Sequence, residues 1–294
     1  MSIPPTLAQI DESAIVWSTL VIALLTALAA GVWRPRSVLG APRVEPGEPL
    51  TPLWMIIILS IASFLLVPTI YSIATGQTAP GPTTAPTSQP TYTSQQMVFL
   101  VNGMELAGLA ALLVSSALWR PRGLAKLGLR LKLLPKSLGM GLVGIVIALP
   151  IALAASAATQ WALDHFGIEH PNAHELLRAY DSVDHLVRIV IVIGAIVLAP
   201  LFEELLFRGH IQTAILHTFS RSGRSPLIRW LAILLASVIF TISHSEGWMM
   251  PPIFVLSLCL GYAYERTGSL WVPMLMHAAF NATNILYFLT EMKH

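Results

Sequence analysis

Charge is what this sequence has least of. Only 11% of its 294 residues are Asp, Glu, Lys or Arg, against 55% that are hydrophobic, and the mean hydropathy is +0.70. Soluble domains carry about 25% charged residues, so a wholly water-facing protein is excluded and much of the surface must face lipid. The single cysteine, Cys259, excludes an internal disulfide framework and a multi-cysteine metal site. The net charge is only +2, and the Lys and Arg sit in short clusters beside apolar runs, which is a membrane-orientation signal and not a nucleic-acid-binding stripe. Met1 to Glu12 lacks the basic region and the small-residue cleavage site of a signal peptide, so the apolar run behind it reads as a retained first helix. The His-Glu-x-x-His pattern of helical zinc proteases is also missing.

What the chain has instead is apolar length. A membrane span needs about 20 mostly apolar residues. Such stretches run from Ser13 to Trp33, Leu53 to Ala74, Met97 to Trp119, Leu138 to Leu163, and His185 to His217 with an interruption at Pro200; three more follow at Trp230 to Ser243, Pro251 to Tyr264 and Leu270 to Leu289, the first two of them short. The expected fold is therefore all-α, a polytopic membrane bundle of about eight transmembrane helices. Residues 1–119 form an N-terminal three-helix region with an external loop at 76–94 rich in Thr, Pro, Ser and Gly, and residues 120–294 form the core.

The basic clusters Arg34 to Arg43, Arg120 to Lys136 and Arg221 to Arg229 all fall on one side if there are eight crossings. By the positive-inside rule that side is the cytoplasm, and both termini lie outside it. Arg120 to Lys136 interleaves Leu with Arg and Lys, as suits a stretch lying on an anionic membrane face.

Against this apolar background, three groups of polar residues stand out. Glu203 and Glu204 are adjacent inside an apolar helix, where carboxylates are costly unless they face protein, water or a partner. Glu204 and Arg208 are four apart with the acid toward the N-terminus, the favourable order for a pair, which leaves Glu203 with no cation on its own helix. Pro200 can kink the helix and free backbone carbonyls beside the acids. His244 closes the sixth apolar stretch at a depth similar to Glu203, about 20 Å from the cytoplasmic edge at 1.5 Å per residue. His277 and Asn281 are one turn apart on one face of the last. One acid and one imidazole to deprotonate water, with an imidazole and an amide to donate to an oxyanion, make a hydrolytic set.

Three motifs carry a family resemblance: Glu203-Glu204 with Arg208, Phe240 with His244, and His277 with Asn281. Their order, spacing and membrane setting resemble the CPBP family of intramembrane glutamic endopeptidases, the CAAX-protease and bacteriocin-processing group that includes the type II prenyl-protein endopeptidases. The resemblance covers roughly residues 120–290, including Leu127-Gly128-Leu129-Arg130. It implies that Glu203, assisted by His244, is the general base, that His277 and Asn281 stabilise the oxyanion, and that Glu204 with Arg208 supports Glu203. It further implies metal-independent hydrolysis without a cofactor, in a cavity open to the cytoplasm, acting on a membrane-associated peptide or protein that some relatives recognise in lipidated form. From the residues alone, three alternatives remain open. The same glutamate and two histidines could serve as zinc ligands. The polar cluster could hold together a non-catalytic scaffold or immunity protein. The helix broken at Pro200 could belong to a carrier.

Overall fold

Backbone groups in lipid must be satisfied within the chain, which favours helices, and all regular elements among the described residues are helical. The computed structural model describes residues 21, 24–26, 53–75, 93–119, 123–169, 177, 180–219, 226–244 and 247–291. The long helices are α1 (Leu53–Thr75), α2 (Ser94–Trp119), α3 (Leu134–His165), α4 (His185–Phe219), α5 (Pro226–Ile242), α6 (Met250–Thr267) and α7 (Trp271–Glu291).

The expected count of about eight crossings is corrected. Among the described residues four helices are long and apolar enough to cross a membrane: Ser94–Leu118, Leu124–His165, His185–Phe219 and Gly247–Thr267. The expected sixth span is α5, whose 17 residues fall short of the ~20 a crossing needs. The expected eighth is α7, long enough at 21 residues but diluted by His277, Asn281, Thr283, Asn284 and Thr290. The expected first span, Ser13 to Trp33, and residues 76–92 of the external loop lie largely outside the described residues, as do some side chains of α1. The orientation drawn from eight alternating crossings loses its basis with that count.

Many large apolar side chains point outward, among them Ile58, Leu65, Leu142, Trp161 and Ile193, as a lipid-facing surface requires. Inside, α3, α6 and α7 share one core, with Ile145, Ala148, Leu256, Leu260, Val272 and Met276 in contact. A second core joins α1, α2 and α4 to the α6–α7 turn through Ile56, Leu112, Phe202, Leu205, Tyr264 and Leu270.

Helix α2 runs parallel to α4, touching it at successive levels. Asn102 meets Gly194, Gly108 meets Phe202, and Ser116 Oγ is 3.1 Å from His210 Nε2. The two glycines set this approach, since a Cβ on Gly108 would lie 2.6 Å from the Phe202 ring and one on Gly194 would overlap the Asn102 amide. At the other end of the site helices, a buried polar network ties α4, α5 and α6 together. Arg229 Nη1 pairs with Glu265 Oε2 at 3.0 Å, and Gln212 Nε2 donates to Glu265 Oε1 at 3.2 Å and to Gly261 O at 3.3 Å. Such a network holds only if its charges are matched, and it fixes the helix that leads into His244. The Leu127-Gly128 stretch docks on the α6–α7 turn, with Tyr264 Oη donating to Leu127 O and Ser269 Oγ to Gly128 O, both at 3.3 Å.

Candidate active site

Helix α4 departs twice from α geometry. A π segment at Gly194–Leu198 and another at Leu205–Gln212 bracket the α turn Ala199–Glu204 that carries both glutamates. Wide turns of this kind occur mostly as short insertions and are frequent at functional sites. The first has a cause in the sequence. Ala199 N–H donates to Gly194 O, five residues back. The next donor in that register would be the nitrogen of Pro200, which has no hydrogen. Ala195 O, its would-be acceptor, instead receives Asn281 Nδ2 at 2.7 Å. The freed carbonyl expected beside the acids is thus present, and the last helix satisfies it.

Glu204 is fully buried and Arg208 nearly so. Arg208 Nη1 contacts Glu204 Oε1 at 2.6 Å, and Nη2 donates to Ser257 O at 3.1 Å and to Ser257 Oγ at 2.7 Å on α6. The guanidinium also lies 4.6 Å from the centre of the Phe240 ring, a cation–π distance. Paired in this way Glu204 is an acceptor only, so the 2.9 Å contact between His277 Nδ1 and Glu204 Oε1 has the imidazole donating through Nδ1–H. The tautomer follows: Nε2 is the free nitrogen, and it lies 3.9 Å from Glu203 Oε2. Glu203 Oε2 is buried and has no hydrogen-bond partner among the described residues.

Phe240 explains the aromatic position of the second motif. Its ring packs edge-on against Phe207 at 4.9 Å, and stands 4.8 Å from the His244 ring and 5.9 Å from the His277 ring. His244 Nδ1 lies 2.8 Å from Phe240 O. A carbonyl can only accept, so His244 also donates through Nδ1–H and keeps Nε2 free.

The structure therefore brings Glu203, Glu204, Arg208 and His277 into one contact group. His244 reaches that group through Phe240, without a hydrogen bond or ion pair to Glu203. Asn281 lies one helical turn from His277, with an amide hydrogen committed to Ala195 O. Chemically, the cluster offers an unpartnered carboxylate oxygen beside an imidazole whose tautomer is fixed by an Arg–Glu pair. Among the described residues, no group of three or more His, Cys, Asp or Glu is arranged to hold a metal ion, so the glutamate and two histidines weighed as zinc ligands are not gathered as a ligand set.

Three contributors escaped the sequence reading. Ser257 holds Arg208 from α6, and a serine in an apolar helix gives no signal of that role. The Ala195 carbonyl is invisible until the π register is known. Glu105 on α2 lies within electrostatic range of Glu203, and here a signal existed: it is the lone acid in an otherwise apolar stretch, the same criterion that picked out Glu203.

Comparison with known proteins agrees with this placement. Residues 185–283 match the family described as type II CAAX prenyl endopeptidase Rce1-like. The uncharacterized protein YpbD of Bacillus subtilis (strain 168) is 27% identical over 143 residues, 47% of this chain and 64% of that protein. An uncharacterized 24.3 kDa protein of Escherichia coli is 32% identical over 94 residues, 31% of this chain and 41% of that protein. The chain thus spans less than two thirds of either relative. No solved structure matches it. Residues 185–283 hold all three motifs and the buried Glu–Glu–His cluster, and this part of the chain is a CAAX protease-like, Rce1-like domain.

Proposed function

We propose that this protein is a membrane endopeptidase that hydrolyses a peptide bond of a membrane-associated peptide or protein without a metal ion. The observation that carries this reading is the buried oxygen of Glu203, which has no hydrogen-bond partner among the described residues and lies 3.9 Å from His277 Nε2. A carboxylate so placed accepts a proton from a water molecule seated against it. The resulting hydroxide adds to the peptide carbonyl carbon, and the carbonyl oxygen becomes the oxyanion. Glu203 then returns the proton to the departing amine nitrogen, so no covalent enzyme intermediate is required.

The other residues take their roles from their hydrogen bonds. His244, with Nδ1–H held by Phe240 O, offers the Nε2 lone pair to assist water activation. His277 has Nδ1–H committed to Glu204, so it donates to the oxyanion only when Nε2 is also protonated, with Glu204 supplying countercharge. Asn281 donates through its second amide hydrogen. Glu204 and Arg208 hold His277 in place from behind. We assign this chemistry to a core of residues 120–294, and place the basic Arg120 to Lys136 segment and the mouth of the site toward the cytoplasm by the positive-inside preference. A lipidated C-terminal peptide is the substrate class suggested by the family description.

The test is cleavage of a membrane-peptide library in water enriched in ¹⁸O. A single labelled oxygen in each new C-terminus, with no protein adduct in the intact mass, is expected. A trapped acyl-enzyme would refute the direct-water mechanism, and no cleavage of any peptide would refute the assignment.

A further inference from the structure

Pro200 lies buried three residues before Glu203, and the hydrolytic reading gives it no part. We infer that Pro200 is a positioning residue for Asn281: by lacking an N–H, it reserves the Ala195 carbonyl as the anchor for the Asn281 side-chain amide. This inference rests on the oxyanion role proposed for Asn281.

The argument runs through one register. In the π turn Gly194–Leu198, the backbone pairing steps back five residues, as the Ala199 N–H to Gly194 O bond shows. Any other residue at 200 would extend the series with a bond to Ala195 O. Proline ends it, and Pro200 is itself buried, so water does not easily take over the acceptor. Asn281 Nδ2 takes it at 2.7 Å, the length of a good hydrogen bond. Because a carbonyl accepts and never donates, this contact also fixes which end of the amide is nitrogen. The amide therefore cannot exchange its oxygen and nitrogen without losing the bond, and its second N–H is held in one direction. His277, one turn earlier on α7, is fixed separately by Glu204. Both proposed oxyanion donors are thus anchored to α4, one through a side chain and the other through a carbonyl left free by proline. Preorganised donors of this kind are more effective than mobile ones because no reorientation is needed during reaction.

The test is a double-mutant cycle in detergent-solubilised full-length protein. Pro200→Ala supplies the missing N–H, and Pro200→Ser supplies the same group if the first variant fails to fold. With Pro200 present, Asn281→Ala should lower the midpoint of thermal unfolding by about 2–4 °C, as expected for one hydrogen bond in a protein of this size. In the Pro200→Ala background, where the new N–H competes for Ala195 O, the same substitution should cost less than half as much. Equal losses in the two backgrounds would overturn the inference. On a cleavable peptide, Pro200→Ala should reduce kcat by about tenfold with KM unchanged, less than the ~100-fold expected from losing a donor outright. An unchanged kcat in a folded Pro200→Ala protein would also overturn it. Absence of any Glu203-dependent cleavage in the wild type would refute the hydrolytic reading, while the unfolding cycle would still decide whether Pro200 and Asn281 are linked.

Discussion

Removing Arg208 should unfold the site before it disables the chemistry. The guanidinium is 1% exposed, contacts Glu204 at 2.6 Å, donates twice to Ser257 and lies over the Phe240 ring. Arg208→Ala would leave Glu204, which is fully buried, without its charge partner. Breaking a buried pair on one side costs about 3–5 kcal/mol, a large part of the ~5–15 kcal/mol that keeps a typical protein folded. At about 2–4 °C per kcal/mol for a chain of this size, the unfolding midpoint should fall by roughly 6–20 °C. The pair Arg208→Met with Glu204→Leu separates the causes, since apolar groups of similar volume remove the stranded charge. Thermal unfolding in detergent should show the double variant recovering most of the loss. It should remain inactive, because His277 Nδ1 no longer has an acceptor. An Arg208→Ala midpoint within about 2 °C of wild type, or a double variant no more stable than the single, would refute the assigned electrostatics.

Other expectations follow from the same geometry. Glu204→Gln keeps the shape at His277 but replaces the charged acceptor with an amide, so steady-state kinetics should show a fall in kcat of about 10-fold to 1,000-fold; an unchanged kcat would remove Glu204 from the orientation of His277. Glu105→Gln removes the cost of burying an ionisable carboxyl within range of Glu203 and should raise the unfolding midpoint by a few degrees; a lower midpoint would mean that Glu105 makes a stabilising contact. Chelators should leave turnover unchanged and purified protein should lack stoichiometric zinc, whereas loss of activity restored by zinc would establish the metal-dependent alternative.

The chemistry was more legible in the sequence than the architecture. Glu203, Glu204, Arg208, His244, His277 and Asn281 announced themselves because polar groups in apolar runs need partners, and the Glu204–Arg208 pair follows from helical spacing alone. Which imidazole would reach the glutamates was not readable. Depth counting set His244 level with Glu203 and the family resemblance made it the assisting imidazole, whereas the imidazole that approaches both acids is His277, because α7 packs along α4. The crossings were overcounted because a hydropathy window does not separate a short apolar helix such as α5 from a full span, or allow for the polar positions of α7. The π turns were hidden because i→i+5 pairing has no residue preference of its own, although Pro200 marked where one ends. The close approach of α2 depends on Gly108 and Gly194, whose importance appears only once the helices are paired. Glu105 obeyed the rule that identified the other acids and was passed over only because no motif surrounds it.

The central claim is that Glu203 activates the attacking water. It is tested most directly by comparing cleavage of one membrane peptide by purified wild type and Glu203→Ala protein in the same lipid mixture, with unfolding midpoints measured alongside. The account predicts a loss of at least about 100-fold in turnover at an unchanged or slightly higher midpoint, because the substitution removes a general base whose buried oxygen has no hydrogen-bond partner among the described residues. Turnover retained within a few fold of wild type by the folded variant would contradict it.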